Sequence, residues 1–158
     1  MITNRDKKWI NLAANIASSS NHRFQLGAVI VDGGSVLGTG TNVYLGTSIP
    51  SKGPRSLSAA SCVPPLGSSI HAEVQALRSL SETARNKRST IYVTRLSAKN
   101  ETTMAKPCAH CIQTLMLFSQ VRRVVYTGFN GEAVDLLIRD VTLPEEIHKD
   151  TVYEYHVA

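Results

Sequence analysis

The sequence predicts one three-layer α/β/α domain over residues 1–158, with a central mixed sheet of about five strands. Three observations lead to this fold class. Helical and extended patterns alternate along the chain in the order α-β-β-α-β-α-β. Two glycine-containing dipeptides lie between extended runs, where hairpin turns are expected. The 158 residues, 42% of them hydrophobic, suffice for one buried core.

The first half of the chain predicts a helix followed by a β-hairpin. Apolar residues recur at helical spacing, which indicates an amphipathic helix over about residues 4–18. The β-rich runs FQLGAVIVD and SVLGTGTNVY flank Gly33-Gly34, a dipeptide typical of a hairpin turn. Residues 45–69 are rich in glycine, proline and serine and contain no acid. A loop of that length is usually functional or disordered.

The second half predicts alternating helices and strands. In chain order these are a helix from His71 to about Asn86, a strand over 90–96, a polar loop over 97–106, a helix from about Pro107, a strand over 122–127 and a short strand around 152–157. Asn130-Gly131 precedes the apolar run from Val134 to Ile138 and predicts a second hairpin turn.

Charge is distributed unevenly along the chain. Residues 1–131 hold 15 of the 17 lysines and arginines but only 5 of the 12 acidic residues. The net charge of the whole chain is +5. A basic body suits a polyanionic or nucleotide phosphate partner, and an ordinary solvated surface is the alternative. No apolar run approaches the roughly 20 residues of a membrane span, and the N-terminus lacks a signal peptide's apolar stretch. We therefore expect a cytoplasmic (intracellular) protein with no membrane partner.

Cys108-Ala-His-Cys111 places two thiols at i and i+3 at the start of a predicted helix, where both can face one point. The unpaired N–H groups of a helix N-terminus favour thiolate over thiol. Two thiolates are half of a tetrahedral zinc shell, although redox pairs use the same spacing. His71, at the head of the preceding helix, is expected at the same edge of the sheet. Three ligands would leave the fourth zinc position open, as in catalytic sites.

Glu73 follows His71 by two residues, a spacing that puts side chains on nearly opposite sides of a helix interior. Both can serve one site only within the first turn, where side chains can extend past the helix end. We therefore predict that this helix begins at Ile70 or His71. Glu73 would then lie near the open zinc position, where a carboxylate can take and return protons.

The motifs HAE at 71–73 and PCAHC at 107–111 resemble the H-x-E and P-C-x-x-C signature of the zinc-dependent cytidine deaminase-like superfamily. The order of helices and strands over most of the chain is similar too. The resemblance implies a Zn²⁺ ion bound by His71, Cys108 and Cys111. It also implies that zinc-bound hydroxide attacks the ring carbon of a nucleobase.

The same resemblance implies roles for three further residues. Glu73 would shuttle protons to the ring nitrogen and to the leaving ammonia. Asn42 and Ala72 would contact the substrate, with an ordinary turn asparagine as the alternative for Asn42. His71 stands where many nucleoside-level cytidine deaminases have cysteine, whereas the deoxycytidylate, tRNA-adenosine and polynucleotide-editing branches have histidine. Several of those branches, however, have a helix where Asn130-Gly131 predicts a hairpin.

The expected function is zinc-dependent hydrolytic deamination of a nucleobase, with cytosine in a small-molecule nucleoside or nucleotide such as cytidine or dCMP as the expected target. The first alternative is an editing deaminase that acts on cytosine or adenine in single-stranded DNA or RNA. The second is a non-catalytic zinc-stabilised scaffold or partner subunit. The superfamily also implies a homo-oligomer.

Other candidate residues receive less specific interpretations. His110 is expected to point away from the metal, and Cys62 is expected to be a loop thiol, with a closed four-ligand site as the alternative. His22 is expected at the surface, and Phe24 in the core, with base stacking as its alternative. Arg122-Arg123 is interpreted as part of a solvated face, with a nucleic-acid contact as the alternative.

Overall fold

The computed structural model describes residues 1–44, 69–147 and 155–158. The helices are α1 (Asn4–Ala17), α2 (Ala72–Arg78), α3 (Glu82–Arg85) and α4 (Ala109–Phe118), with a 3-10 helix at Ile138–Asp140. The strands are β1 (Gln25–Asp32), β2 (Ser35–Thr41), β3 (Val43–Tyr44), β4 (Ser69–Ile70), β5 (Ser89–Leu96), β6 (Thr102–Thr103), β7 (Val121–Thr127), β8 (Ala133–Leu137), β9 (Val141–Thr142) and β10 (His156–Val157). The predicted 45–69 loop lies almost wholly outside the described residues, and so does the first half of the predicted 152–157 strand.

The central sheet has the strand order β2-β1-β5-β7-β8, and β6 pairs with the end of β5. β5 and β7 run parallel, and the other pairs in this sheet are antiparallel. The predicted mixed sheet is therefore confirmed. Both predicted hairpins are present too, because β1 pairs with β2 around Gly33-Gly34 and β7 pairs with β8 around Asn130-Gly131.

Helices cover both faces of this sheet, as the three-layer prediction requires. Side chains alternate along each strand, so neighbouring residues point to opposite faces. On one face Val29, Tyr92 and Val125 pack against Trp9 and Ala13 of α1. The opposite face is covered by α2 and α4, and its buried residues include Ala28, Ile30, Ile91, Val93, Val124, Ala76, Leu77, Ile112 and Leu115. The second of these layers carries the candidate site.

The single helix predicted from His71 to Asn86 is wrong in extent, since two shorter helices occupy that stretch. α2 ends at Arg78, where the Ser79 hydroxyl donates to the Ala76 carbonyl at 2.7 Å. Ser81 then caps α3 by accepting the Ala84 N–H at 3.1 Å. Serine hydroxyls compete with the helix backbone for hydrogen bonds, which explains the interruption.

The stretch 97–106, predicted as a polar loop, contains β6. Asn100 adopts a left-handed conformation with φ 59°, which asparagine tolerates better than most residues. Its N–H donates to the Ser97 carbonyl at 2.9 Å, and the Ser97 N–H donates to the Glu101 carbonyl at 2.8 Å. This turn returns the chain alongside the end of β5.

No helix in the described ranges is both long enough and apolar enough to cross a membrane.

Candidate active site

The site lies where two helices begin. His71 is the N-cap of α2, in an extended conformation with φ −69° and ψ 152°, and Cys108 is the N-cap of α4. α2 thus starts at Ala72, one residue after the later of the two predicted starts, Ile70 and His71, and Glu73 lies in its first turn. His71 and Glu73 therefore both lie at the start of the helix, as is required if two residues at i and i+2 are to serve one site.

A close approach between β2 and α2 fixes the position of this helix tip. A Cβ atom at Gly40 would lie 2.6 Å from the Ala72 carbonyl oxygen and 2.3 Å from the Ala76 nitrogen. Real Cβ contacts are not that short, so only glycine lets the α2 backbone lie directly on the strand. The start of α2, and with it His71, depends on this contact.

Three donors from the two helix starts meet at one point. The His71 Nδ1 atom lies 3.2 Å from the Cys111 Sγ atom and 3.6 Å from the Cys108 Sγ atom. All three donor atoms lie within 4.8 Å of one another. A tetrahedral zinc ion with Zn–N of about 2.0–2.1 Å and Zn–S of about 2.3 Å separates such donors by about 3.6 Å. The spacing and the donor types therefore fit a zinc ion.

The helix start also polarises the two thiols. The Cys108 Sγ atom accepts the Cys111 backbone N–H at 3.3 Å. A hydrogen bond from the Cys111 thiol, followed by that from His71, lowers the pKa of Cys108 to about 4. The same shared proton raises the pKa of Cys111 well above its usual range, and the Cys108 hydrogen bond raises the pKa of His71. The start of α4 therefore favours the thiolate form of Cys108, the form in which cysteine binds zinc.

Glu73 is buried beside this cluster, with 3% of its surface exposed. Burial raises the pKa of Glu73 to about 7, and the nearby Cys108 adds to the increase while His71 opposes it. A carboxyl group with this pKa can both accept and release a proton at neutral pH.

A cavity of about 310 Å³ adjoins the cluster. It is lined by His22, Phe24, Leu26, Asn42, His71, Ala72, Glu73, Arg95, Met104, Ala105, Lys106 and Cys108. Five of the six residues that the sequence indicated thus line the cavity, and the sixth, Cys111, lies with His71 and Cys108 in the group of three donors. Cys62 lies outside the described residues, and His110 is exposed, as expected.

Asn42 lies in the cavity wall, but hydrogen bonds within the protein occupy most of its side-chain amide. Its Oδ1 atom accepts the Leu26 N–H at 2.9 Å and the Ser20 hydroxyl at 2.7 Å, and its Nδ2 atom donates to the Phe24 carbonyl. The second amide N–H makes no hydrogen bond within the described part of the chain. Asn42 therefore shapes the rim segment 20–26 and can offer one donor to a ligand. The side chain of Ala72, fully buried, forms an apolar part of the cavity wall.

Four of the cavity residues that sequence reasoning did not assign to the site have polar or aromatic side chains. Phe24, expected in the core, is 46% exposed. His22, expected at the surface, lines the cavity; burial lowers its pKa, and its Nδ1 atom accepts the Phe24 N–H at 3.0 Å. Arg95 and Lys106 were not singled out at all. The alternation of β5 was an available signal for Arg95, since Ile91 and Val93 place it on the face of α2 and α4.

Comparison with known proteins agrees with this geometry. The family model for the cytidine and deoxycytidylate deaminase zinc-binding region matches residues 3–128. That range includes His71, Cys108 and Cys111 and the starts of α2 and α4. A search of curated proteins found no match.

Solved structures of deaminases share the fold. A dCMP deaminase from the cyanophage S-TIM5 in apo form has a TM-score of 0.56 and 22% identity, with 81% of this chain and 86% of that chain covered. Its complex with dCMP and dUMP has a TM-score of 0.54 and 18% identity, covering 81% and 84%. A cytidine deaminase from Burkholderia pseudomallei has a TM-score of 0.59 and 22% identity, covering 88% and 95%.

Proposed function

The chain belongs to the cytidine and deoxycytidylate deaminase zinc-binding family, a family of hydrolytic enzymes, and from this membership we propose that it deaminates cytosine in a nucleoside or nucleotide. One observation carries the proposal. Glu73, buried and with a pKa of about 7, lines a cavity next to a cluster of one imidazole and two thiols. Catalytic zinc sites use three protein ligands in this way.

We assign the metal to His71, Cys108 and Cys111. A zinc ion held by these ligands supplies Lewis acidity and activates water near neutral pH. Cys108 contributes a thiolate stabilised by the first turn of α4, and His71 contributes a ring nitrogen held by the start of α2. Both helix starts are anchored in the buried layer, so the donors are fixed before a metal arrives.

Glu73 is assigned the proton transfers. Hydrolytic deamination adds one water to the ring carbon of cytosine and releases ammonia, so one proton of the water must reach the ring nitrogen and the other must reach the departing amino group. A single carboxyl group between water and base can carry out both transfers, provided that its pKa lies near the working pH. The pKa of about 7 meets that condition.

Glu73 also argues against the scaffold alternative. A structural zinc site closes its shell with four ligands and does not need a buried acid beside it. Burial of an acid without a cationic partner is unfavourable, and Glu73 forms no ion pair with a lysine or arginine in the described ranges. An enzyme has a use for such a group, and a scaffold does not.

The test is ammonia release by purified, zinc-loaded protein from cytidine, dCMP and a single-stranded oligonucleotide. Glu73→Gln should keep zinc and fold but lower kcat by at least about 100-fold, because proton transfer is lost. Glu82→Gln, the same change on the exposed first turn of α3, should leave kcat within about twofold, since surface substitutions rarely perturb a site. If Glu73→Gln remains active, the assignment fails. Zinc binding without turnover of any of the three substrates would favour the scaffold.

The editing alternative has one observation in its favour. Phe24 is 46% exposed at the cavity, with the guanidinium groups of Arg23 and Arg95 at 5.4 and 4.8 Å from its ring. Exposed aromatic rings beside arginines are typical of single-strand binding. Turnover of the oligonucleotide alone would support this alternative. The homo-oligomer stays a prediction, which light scattering of the purified protein would test.

A further inference from the structure

We propose that Arg95 and Lys106 form a phosphate-binding subsite in the cavity wall, and that the enzyme selects a phosphorylated substrate over the free nucleoside. This inference rests on the proposed deaminase function and goes beyond it, since neither the metal cluster nor Glu73 distinguishes a nucleoside from a nucleotide. Four features of the two side chains carry it: placement, charge balance, orientation and the chemistry of the substrate.

The register of β5 places Arg95 on the site face of the sheet. Tyr92 and Thr94 point to α1, where they bond Asp6 and the Ile10 carbonyl. Val93 packs in the opposite layer, beneath α2 and α4. Arg95 follows two residues later on the same face, at the end of β5 nearest the site, and it lines the cavity.

Arg95 carries a charge that the described part of the protein does not neutralise. None of the ion pairs among these residues involves Arg95, and Glu73 is the only acid among the residues that line the cavity. The Nε atom of Arg95 is buried and has no hydrogen-bond partner in the described ranges. Buried N–H groups are ordinarily paired, so a missing acceptor points to a ligand.

Phe24 orients the Arg95 side chain. The guanidinium carbon lies 4.8 Å from the centre of the Phe24 ring, a distance typical of a cation on an aromatic face. This contact restricts where the guanidinium can lie, and a guanidinium can present two parallel N–H groups. That geometry matches two oxygens of a phosphate.

Lys106 supplies a second cation at the same cavity. Its Nζ atom lies 4.5 Å from the centre of the Tyr155 ring. Tyr155 is itself fixed, because its hydroxyl donates to the Pro107 carbonyl at 2.7 Å and the side chain is buried. Lys106 therefore has a defined place just before the α4 helix start, and it forms no ion pair with an acid in the described ranges.

The substrate offers one group that suits two cations. The base must approach Glu73 and the metal cluster, and cytosine and ribose carry no negative charge. A phosphate on the sugar is the only anionic part of a nucleotide, and arginine together with lysine is a usual pair for its recognition. The phosphate could be that of a mononucleotide or that between two nucleotides of a single strand.

The experiment compares cytidine with CMP and deoxycytidine with dCMP, alongside an oligonucleotide with one deoxycytidine. We expect kcat/KM to be about tenfold or more higher for the phosphorylated substrate, the effect of one charge-assisted hydrogen bond. Arg95→Gln and Lys106→Gln should each lower the ratio of nucleotide to nucleoside kcat/KM by about tenfold. Arg95→Lys, which keeps the charge, should retain part of the preference. Arg122→Gln, at the exposed far end of β7, is the matched control and should change neither rate.

Equal kcat/KM for nucleoside and nucleotide would overturn the subsite, as would a preference that neither substitution reduces. Loss of oligonucleotide turnover in Arg95→Gln would support it and identify the phosphate of a single strand as the source. Calorimetric binding of uridine and UMP gives a readout without turnover. If UMP binds more tightly than uridine and Arg95→Gln abolishes that difference, the subsite is supported even in a protein that deaminates nothing. Failure of the subsite can therefore be distinguished from failure of the proposed function.

Discussion

Two buried polar clusters lie on opposite faces of the central sheet and neutralise their charges differently. Beneath α1, the carboxylate of Asp6 receives hydrogen bonds at 2.8 Å from both Arg123 and Tyr92. Beneath α2 and α4, the carboxyl group of Glu73 lies beside a thiol pair and an imidazole. Both acids are almost fully buried, with 2% and 3% of their surfaces exposed. They differ in whether a permanent cation accompanies them.

The pKa values record this difference. Burial raises the pKa of both acids. For Asp6 the hydrogen bonds from Arg123, Thr3 and Tyr92 outweigh burial and hold the pKa well below its usual range. For Glu73 burial prevails and the pKa rises to about 7. A fully paired acid stays charged and stabilises the fold, whereas an unpaired acid changes charge near neutral pH and suits proton transfer.

The largest expected effect comes from breaking the paired cluster. Asp6→Ala should lower the free energy of unfolding by about 3 kcal/mol or more, because Arg123 loses a buried partner and α1 loses its capping box. Urea unfolding at pH 7 measures this loss. Asp32→Ala, at the half-buried end of β1, is the control and should cost less than about 1 kcal/mol. A loss below 1 kcal/mol for Asp6→Ala would contradict the described role of the pair.

The second prediction concerns Glu73, the acid without a permanent cation beside it. Its contribution to stability changes with pH in the direction opposite to that of Asp6. Since the folded pKa of Glu73, about 7, exceeds its ordinary value of 4.5, the metal-free folded protein binds this proton more tightly than the unfolded chain does. Its contribution to stability is complete below about pH 4.5 and is lost as pH rises to about 7. Asp6, with a lowered pKa, stabilises above its ordinary 3.8 and loses this contribution as pH falls.

Glu73→Gln should therefore gain stability relative to the unmodified protein between pH 5 and pH 7.5, by up to ~3 kcal/mol. The measurement is urea unfolding of both proteins in the presence of a chelator at the two pH values. Subtracting the two free energies of unfolding cancels the contribution of cysteine titration, as far as the cysteines titrate independently of Glu73. A difference that stays flat, or that falls with pH, would show that Glu73 is not held in a charge-disfavouring environment.

The same two clusters show what the sequence could reveal. The metal cluster was predictable because its spacing rules are local: Cys108 and Cys111 are three residues apart, and His71 and Glu73 are two apart. The demand that Glu73 lie in the first helical turn followed from helix geometry alone, and α2 does begin at Ala72. The hairpins at Gly33-Gly34 and Asn130-Gly131 were equally local signals.

The paired cluster was not predictable, because its partners are distant along the chain. Asp6 and Arg123 are 117 residues apart, and Arg123 was interpreted as a solvated residue. Which face of β7 meets α1 depends on strand register, and no local motif encodes the pairing. The same limit applies to the cavity wall, where Phe24 and Arg95 meet only because β1 and β5 lie side by side. Local chemistry can be predicted from spacing, and contacts across the sheet require the fold.

The smallest expected effect compares one tyrosine hydroxyl from each region. Tyr92 donates to the charged Asp6 at 2.8 Å, and Tyr155 donates to the neutral Pro107 carbonyl at 2.7 Å; both side chains are buried. Hydrogen bonds to charged groups contribute about 1.5–3 kcal/mol and those between neutral groups about 0.5–1.5 kcal/mol. Tyr92→Phe should therefore destabilise more than Tyr155→Phe in urea unfolding, by about 1 kcal/mol.

The two variants should rank in the opposite order when the loss of activity is measured. Tyr92→Phe lies across the sheet from the site and should leave kcat within about twofold, as expected for a change that touches no part of the site. Tyr155→Phe frees the Pro107 carbonyl just before the Cys108 helix start, and it should lower zinc affinity as well as kcat, because partners that orient ligands affect both by about 10-fold or more. Zinc affinity is measured by competition with a chromogenic chelator. If both variants lose stability and activity in the same proportion, the description is wrong that one face of the sheet holds a structural charge cluster and the other a catalytic one.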